Sequence, residues 1–226
     1  MLPESDGGTG VVLSRSQGRL SWLAGVRTAW RVTEDGEFFC PGCGGDRCYQ
    51  LLAGKRRFVI LGLPLLPRGA ADPVVECSCC HRCFPPQTLD LPTTVRLSLM
   101  LRDAVQAIAL AVLAAGGSES RAARETAVDT VRAGGLPDCT EERLLILLAA
   151  LTAEGSLATE VELRETLTPL TPHLAPAGRQ SLLRDAARIA LADGPYLTAE
   201  STTLATIGNT LALAPTETER LLTEAC

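Results

Sequence analysis

The chain has 226 residues, 46% hydrophobic and 21% charged, a soluble mixture with room for one large domain or for a small one ahead of a medium one. Its formal charge of −5 is unevenly spread: residues 31–90 hold seven basic and seven acidic side chains, whereas residues 91–226 hold eleven and seventeen. That acidic C-terminal part is a poor general partner for a phosphate backbone, which rewards clustered Lys and Arg, and suits divalent cations better.

The chain begins "MLPESDGGTG", with acids and glycines where a secretory leader has a basic start and an apolar run. "FVILGLPLL" has about half the length of a membrane span and contains Pro64, and the apolar run Ala104 to Ala115 follows the charged pair Arg102 and Asp103. These features predict a cytoplasmic protein with no transmembrane segment. In that reducing compartment the nine cysteines read as metal ligands before disulfides. Residues 1–27 read as a flexible tail, Gly- and Ser-rich at its start and without hydrophobic period.

Residues 28–90 have a strand-like texture. Short stretches such as "RFVILGL" and "PVVEC" are separated by Gly and Pro punctuation at "CPGCGG", "LPRGAADP" and "FPPQ". Within "FFCPGCGGDRC", Cys40 and Cys43 form a knuckle: the first thiolate starts a tight turn, and the trailing Gly44 takes the positive φ that aims backbone N–H groups at sulfur. A second C-x2-C lies in "VVECSCCHRCF", where spacing alone permits Cys77 with Cys80 or Cys80 with Cys83. The residue after the closing cysteine must tolerate a left-handed backbone. His81 after Cys80 does so more readily than Phe84 after Cys83, which favours Cys77 and Cys80. Cys40, Cys43, Cys77 and Cys80 then form a closed four-thiolate Zn2+ site, structural because no position remains for water or substrate. Cys48, Cys79, His81 and Cys83 are near neighbours, with Cys83 expected to pack as a small hydrophobe beside Phe84. Buried reduced cysteines without metal and a redox thiol pair are the competing readings.

Lys55, Arg56 and Arg57 in "GKRRF" are three adjacent cations beside an aromatic, a possible nucleic-acid contact. Charges guarding a strand edge give the same pattern, and the neutral balance of residues 31–90 does not favour nucleic acid.

After Pro92 the period becomes helical. Leu97, Leu101, Ala104, Val105, Ile108 and Val112 share one stripe, with Thr93 or Thr94 as cap and Gly116-Gly117 as stop. Further helices are predicted at 118–133, 140–153, 158–170, 178–192, 198–212 and 215–225, each bounded by a turn signal. A shift of 77 residues places Ala115-Gly116-Gly117 on Ala192-Asp193-Gly194, Leu136 on Leu213, and "EERLL" on "TERLL". Residues 91–226 are therefore expected to form an all-α domain of about seven helices built from two related halves.

In "ARIALADGPYLTAESTTLATIG" Asp193 stands at a predicted helix end, where the macrodipole disfavours a negative charge. Glu200 falls in the first turn of the next helix behind a Thr198 cap, where acids are welcome. Two carboxylates so placed can face one divalent cation; alternatively Asp193 caps the following helix.

"ALADGPYLTAE" followed by "LATIG" resembles the acidic signature of the TerB tellurite-resistance family, and the chain from about Thr28 onward is similar to TerB-family proteins with an N-terminal zinc ribbon. "DGEFFCPGCGGDR", "PLLPRG" and "VVECSCC" carry the likeness in the ribbon, "LRDAV" and "DTVRAGG" in the helical part. The resemblance implies a seven-helix bundle of two halves, a surface acidic site for Ca2+ or Mg2+ at Asp193 and Glu200, and a non-enzymatic role in stress or tellurite resistance with protein partners. The first half departs from the motif, with Gly116 opposite Asp193 and Ala123 opposite Glu200. No catalytic set stands out: His81 sits among the cysteines and His173 in a Pro-rich loop.

Overall fold

The computed structural model describes residues 24–60, 63–116, 118–153 and 155–225. The chain divides into two units at Thr94/Val95.

The first unit is an antiparallel sheet in the order β1 (Ala24–Cys40), β2 (Gly45–Ile60), β3 (Leu63–Cys77) and β4 (Cys83–Phe84), followed by a short 3-10 helix at Pro86–Asp90. Its strands run far longer than the sequence punctuation suggests, because "LPRGAADP" lies inside β3. Pairing along β2 and β3 shifts register three times, between Leu52 and Gly54, Lys55 and Arg57, and Phe58 and Val59. At each shift β3 carries one extra residue. β3 also pairs with β4 only at Val75 and Glu76, so its prolines stand where an edge and bulges tolerate a missing N–H. The core of this unit sits at the knuckle end, where Phe38, Tyr49 and Val75 are buried with Cys40 and Cys77. Phe38 meets Tyr49 edge-on at 5.6 Å and Phe84 at 6.1 Å between ring centroids.

The second unit contains α1 (Thr94–Gly116), α2 (Arg121–Ala133), α3 (Glu141–Ala153), α4 (Ser156–Leu170), α5 (Pro176–Ala190), α6 (Thr198–Thr210) and α7 (Pro215–Ala225). A 3-10 turn at Thr171–His173 joins α4 to α5. By length and composition α1 is long and apolar enough to cross a membrane. It nevertheless buries Ala104, Val105 and every residue from Ile108 to Leu113 within the helical core, as a central helix of a bundle does. Several helix limits differ from expectation by one to three residues: α3 starts at Glu141, α4 starts at Ser156 and α6 ends at Thr210. α2 starts at Arg121, because the Ser120 hydroxyl accepts from Ala123 N at 3.3 Å and so fixes the cap there. α5 starts at Pro176, a residue suited to the first helical turn, and ends at Ala190.

The repeat has a backbone counterpart. Adding 77 to the limits of α2 gives 198 and 210, the limits of α6. Both helices close with the same hydrogen bonds: Gly134 N to Thr130 O and Leu211 N to Ile207 O, each 2.9 Å; Gly135 N to Arg132 O at 3.1 Å and Ala212 N to Asn209 O at 3.0 Å. Leu136 N to Val131 O and Leu213 N to Gly208 O complete the pair at 3.3 and 3.0 Å. The left-handed residue is Gly135 in the first half, at φ +104°, and Ala212 in the second, at φ +54°.

Candidate metal centre

The turn between β1 and β2 makes the first knuckle. Cys43 N and Gly44 N both donate to Cys40 O, at 3.2 and 2.9 Å, and Gly44 takes φ +68°. The turn after β3 makes the second: His81 N donates to Cys77 O at 2.9 Å, Cys77 N donates to Arg82 O at 3.1 Å, and His81 takes φ +54°. The ring of His81 points away, exposed, with Nδ1 3.3 Å from Glu76 Oε1.

The two turns bring the sulfurs of Cys40, Cys43, Cys77 and Cys80 within 4.8 Å of one another. Cys40 Sγ lies 3.8 Å from Cys80 Sγ, and Cys43 Sγ lies 3.9 Å from Cys77 Sγ. A tetrahedral ion with metal–sulfur bonds of about 2.3 Å has edges of roughly 3.8 Å, so the donor set fits such an ion in number, chemistry and size. Among the described residues no other group of three or more His, Cys, Asp or Glu side chains converges in this way.

The electrostatics ask for a cation. Desolvation, aided by hydrogen bonds with the Cys80, Cys40 and Cys77 thiols, pushes the Cys43 thiol up to about 12. Burial also works to raise Cys77, but backbone N–H groups of Cys80 and Cys79 and the thiols of Cys40 and Cys80 outweigh it and bring it down to about 7. One thiolate is thus stabilised by the knuckle backbone while a neighbour is held neutral. A divalent ion supplies the charge that lets both ionise.

Cys48, Cys79 and Cys83 are exposed and stand outside the four-sulfur group. The expected packing of Cys83 beside Phe84 is corrected by this exposure: β4 turns Cys83 outward where it pairs with Glu76. Cys139, on the loop before α3, is buried in the helical core, and burial raises its thiol. Lys55, Arg56 and Arg57 are exposed on β2, which is flanked by β1 and β3, so guarding a sheet edge does not account for them.

The acidic turn is arranged differently from the expectation. α5 ends at Ala190, so Asp193 lies beyond its last turn and escapes the macrodipole; it is exposed. Thr198 is the first residue of α6 rather than its cap. Glu200 is 3% exposed, and its Oε2 accepts from Leu197 N at 2.8 Å, the backward half of a capping box. The same carboxylate also fills the space beside Gly116, where an added Cβ would lie 2.9 Å from its Cδ. The repeat position explains both departures of the first half. Ser120 caps α2 from in front, so Ala123 need not be acidic, and Gly116 is bare because Glu200 occupies its side-chain space.

No curated protein and no solved structure matches the chain. The model of the family described as tellurite resistance protein TerB matches residues 102–223, within the helical unit, and leaves the cysteine-bearing sheet outside the match. With more than half of its residues so matched, the chain belongs to the TerB family.

Proposed function

We propose that this chain is a non-enzymatic, metal-associated stress-response protein of the cytoplasm. In it, a structural Zn2+ held by Cys40, Cys43, Cys77 and Cys80 fastens the sheet, and the TerB helical unit docks a protein partner. The observation that carries the reading is the convergence of four sulfurs within 4.8 Å. Four thiolates leave no open coordination position, and among the described residues the largest buried cluster of the sheet gathers at the knuckle end, with Leu52, Val59 and Ala71 buried singly further along. A small sheet with so local a core depends on its metal to stay folded. Family membership is what supports a role in tellurite resistance. At the acidic turn only Asp193 is open to Ca2+ or Mg2+, because the Glu200 carboxylate is buried and accepts from Leu197 N.

Stripping the metal with a strong chelator at neutral pH tests the structural role. The expected result is loss of the sheet's backbone protection in amide exchange while the helical circular dichroism persists. A sheet that stays protected after the metal has left contradicts it.

A further inference from the structure

Between them, residues 24–33 and 53–71 carry six basic side chains, Arg27, Arg31, Lys55, Arg56, Arg57 and Arg68, and no acid. All seven acids of residues 31–90 lie elsewhere. The topology puts these two segments together, at the end of the sheet remote from the knuckles.

Along the strands the residues are zoned. The last rows, Ala24–Ile60–Leu63, Gly25–Val59–Pro64 and Val26–Phe58–Leu66, hold no polar side chain. Among the described side chains of these rows Val26 is 50% and Leu66 64% exposed, whereas Val59 is buried. The next row sets Arg27 directly opposite Arg57, and Arg56 and Lys55 follow. Like charges facing each other across a ladder are destabilising unless an anion lies between them.

An apolar apex above a basic belt fits one kind of partner. We propose that this end of the sheet docks on an anionic lipid bilayer, with the apex entering the acyl boundary and the arginines and lysine at headgroup level. Three rows at about 3.3 Å each give an apex about 10 Å deep, the depth to which interfacial segments sink. Nucleic acid uses the cations but gains little from an apolar tip beyond them. Its stacking needs open aromatic faces, whereas Trp30 is half-buried against Gly54 and Phe58, beside the cations, is half-buried as well. This inference is independent of the metal reading.

Co-sedimentation of the full chain with phosphatidylcholine vesicles, with and without phosphatidylglycerol, tests it. Binding is expected only with the anionic lipid, and to weaken with salt. Joint Lys55→Gln, Arg56→Gln and Arg57→Gln substitution lowers the partition coefficient roughly a hundredfold. Leu66→Ser lowers it with charge intact. Arg121→Gln, Arg164→Gln and Arg220→Gln together, an equal charge change in the helical unit, leave it unchanged. Circular dichroism and zinc content identify any variant that misfolds, and Leu66→Ser then stands as the second probe. Absence of binding to anionic vesicles overturns the proposal. So does an equal fall in the two triple variants, or tight binding of single-stranded DNA that Leu66→Ser leaves untouched.

Discussion

Gly116→Ala probes the seat of Glu200. A methyl group there would lie 2.9 Å from Glu200 Cδ and 3.3 Å from Cγ, inside van der Waals contact with a side chain that is itself 3% exposed. Either the methyl strains the end of α1 or the carboxylate swings out and leaves Leu197 N uncapped. Overpacking of this kind costs about 1–3 kcal/mol, and loss of the cap about 1 kcal/mol. With Glu200→Ala already in place the space is empty, and Gly→Ala at a helical position is neutral or stabilising by up to about 1 kcal/mol. The cost of the substitution therefore disappears or turns into a gain in the second background, with a coupling of about 1–4 kcal/mol. Urea unfolding followed by far-UV circular dichroism measures all four corners of the cycle. Equal destabilisation by Gly116→Ala in both backgrounds refutes the assignment of Glu200 as a buried cap that fills this space.

Further outcomes follow from the same geometry. His81→Val places a β-branched residue at φ +54°, costing about 1–2 kcal/mol and weakening zinc retention against a competing chelator, whereas His81→Gly retains it. Burial raises the Asp185 carboxyl, and Arg188, 3.3 Å away, offsets this only partly. A folded-state value above the unfolded one makes the protonated form the stabilising one, so that contribution is present below the unfolded pKa and lost as pH rises through the folded value. Asp185→Asn is accordingly expected to raise Tm at neutral pH and not in acid, as a thermal melt series will show. Isothermal calorimetry with Ca2+ and Mg2+ decides the acidic turn: saturable binding that Asp193→Ala removes supports a cation there, and no heat at millimolar ion leaves Glu200 with its capping role alone.

The helices were legible because apolar stripes and Gly or Pro stops speak locally, as at Gly134-Gly135 and Pro215. Their errors lie where a single side chain sets the boundary, such as Ser120 before α2. The extent of the sheet was not legible. Pro64, Pro67, Gly69 and Pro73 look like breaks in one dimension, yet β3 absorbs them with bulges along an edge that is unpaired in a ladder except at Val75 and Glu76. In the site, the preference for Cys77 and Cys80 rested on the left-handed backbone expected after the closing cysteine, and His81 takes that conformation. The burial of Glu200 was hidden because its partners, Leu197 N and the bare flank of Gly116, are backbone features that sequence does not display. The zoning of apolar and basic rows likewise needs the pairing of Arg27 with Arg57 before it can be seen.

Elemental analysis of purified protein across a cysteine series reaches furthest into the account. One zinc per chain is expected in the native protein and in Cys48→Ser, Cys79→Ser and Cys83→Ser, with the metal lost from Cys40→Ser, Cys43→Ser, Cys77→Ser and Cys80→Ser. Zinc that survives removal of one of the last four sulfurs, or that leaves with one of the first three, contradicts it.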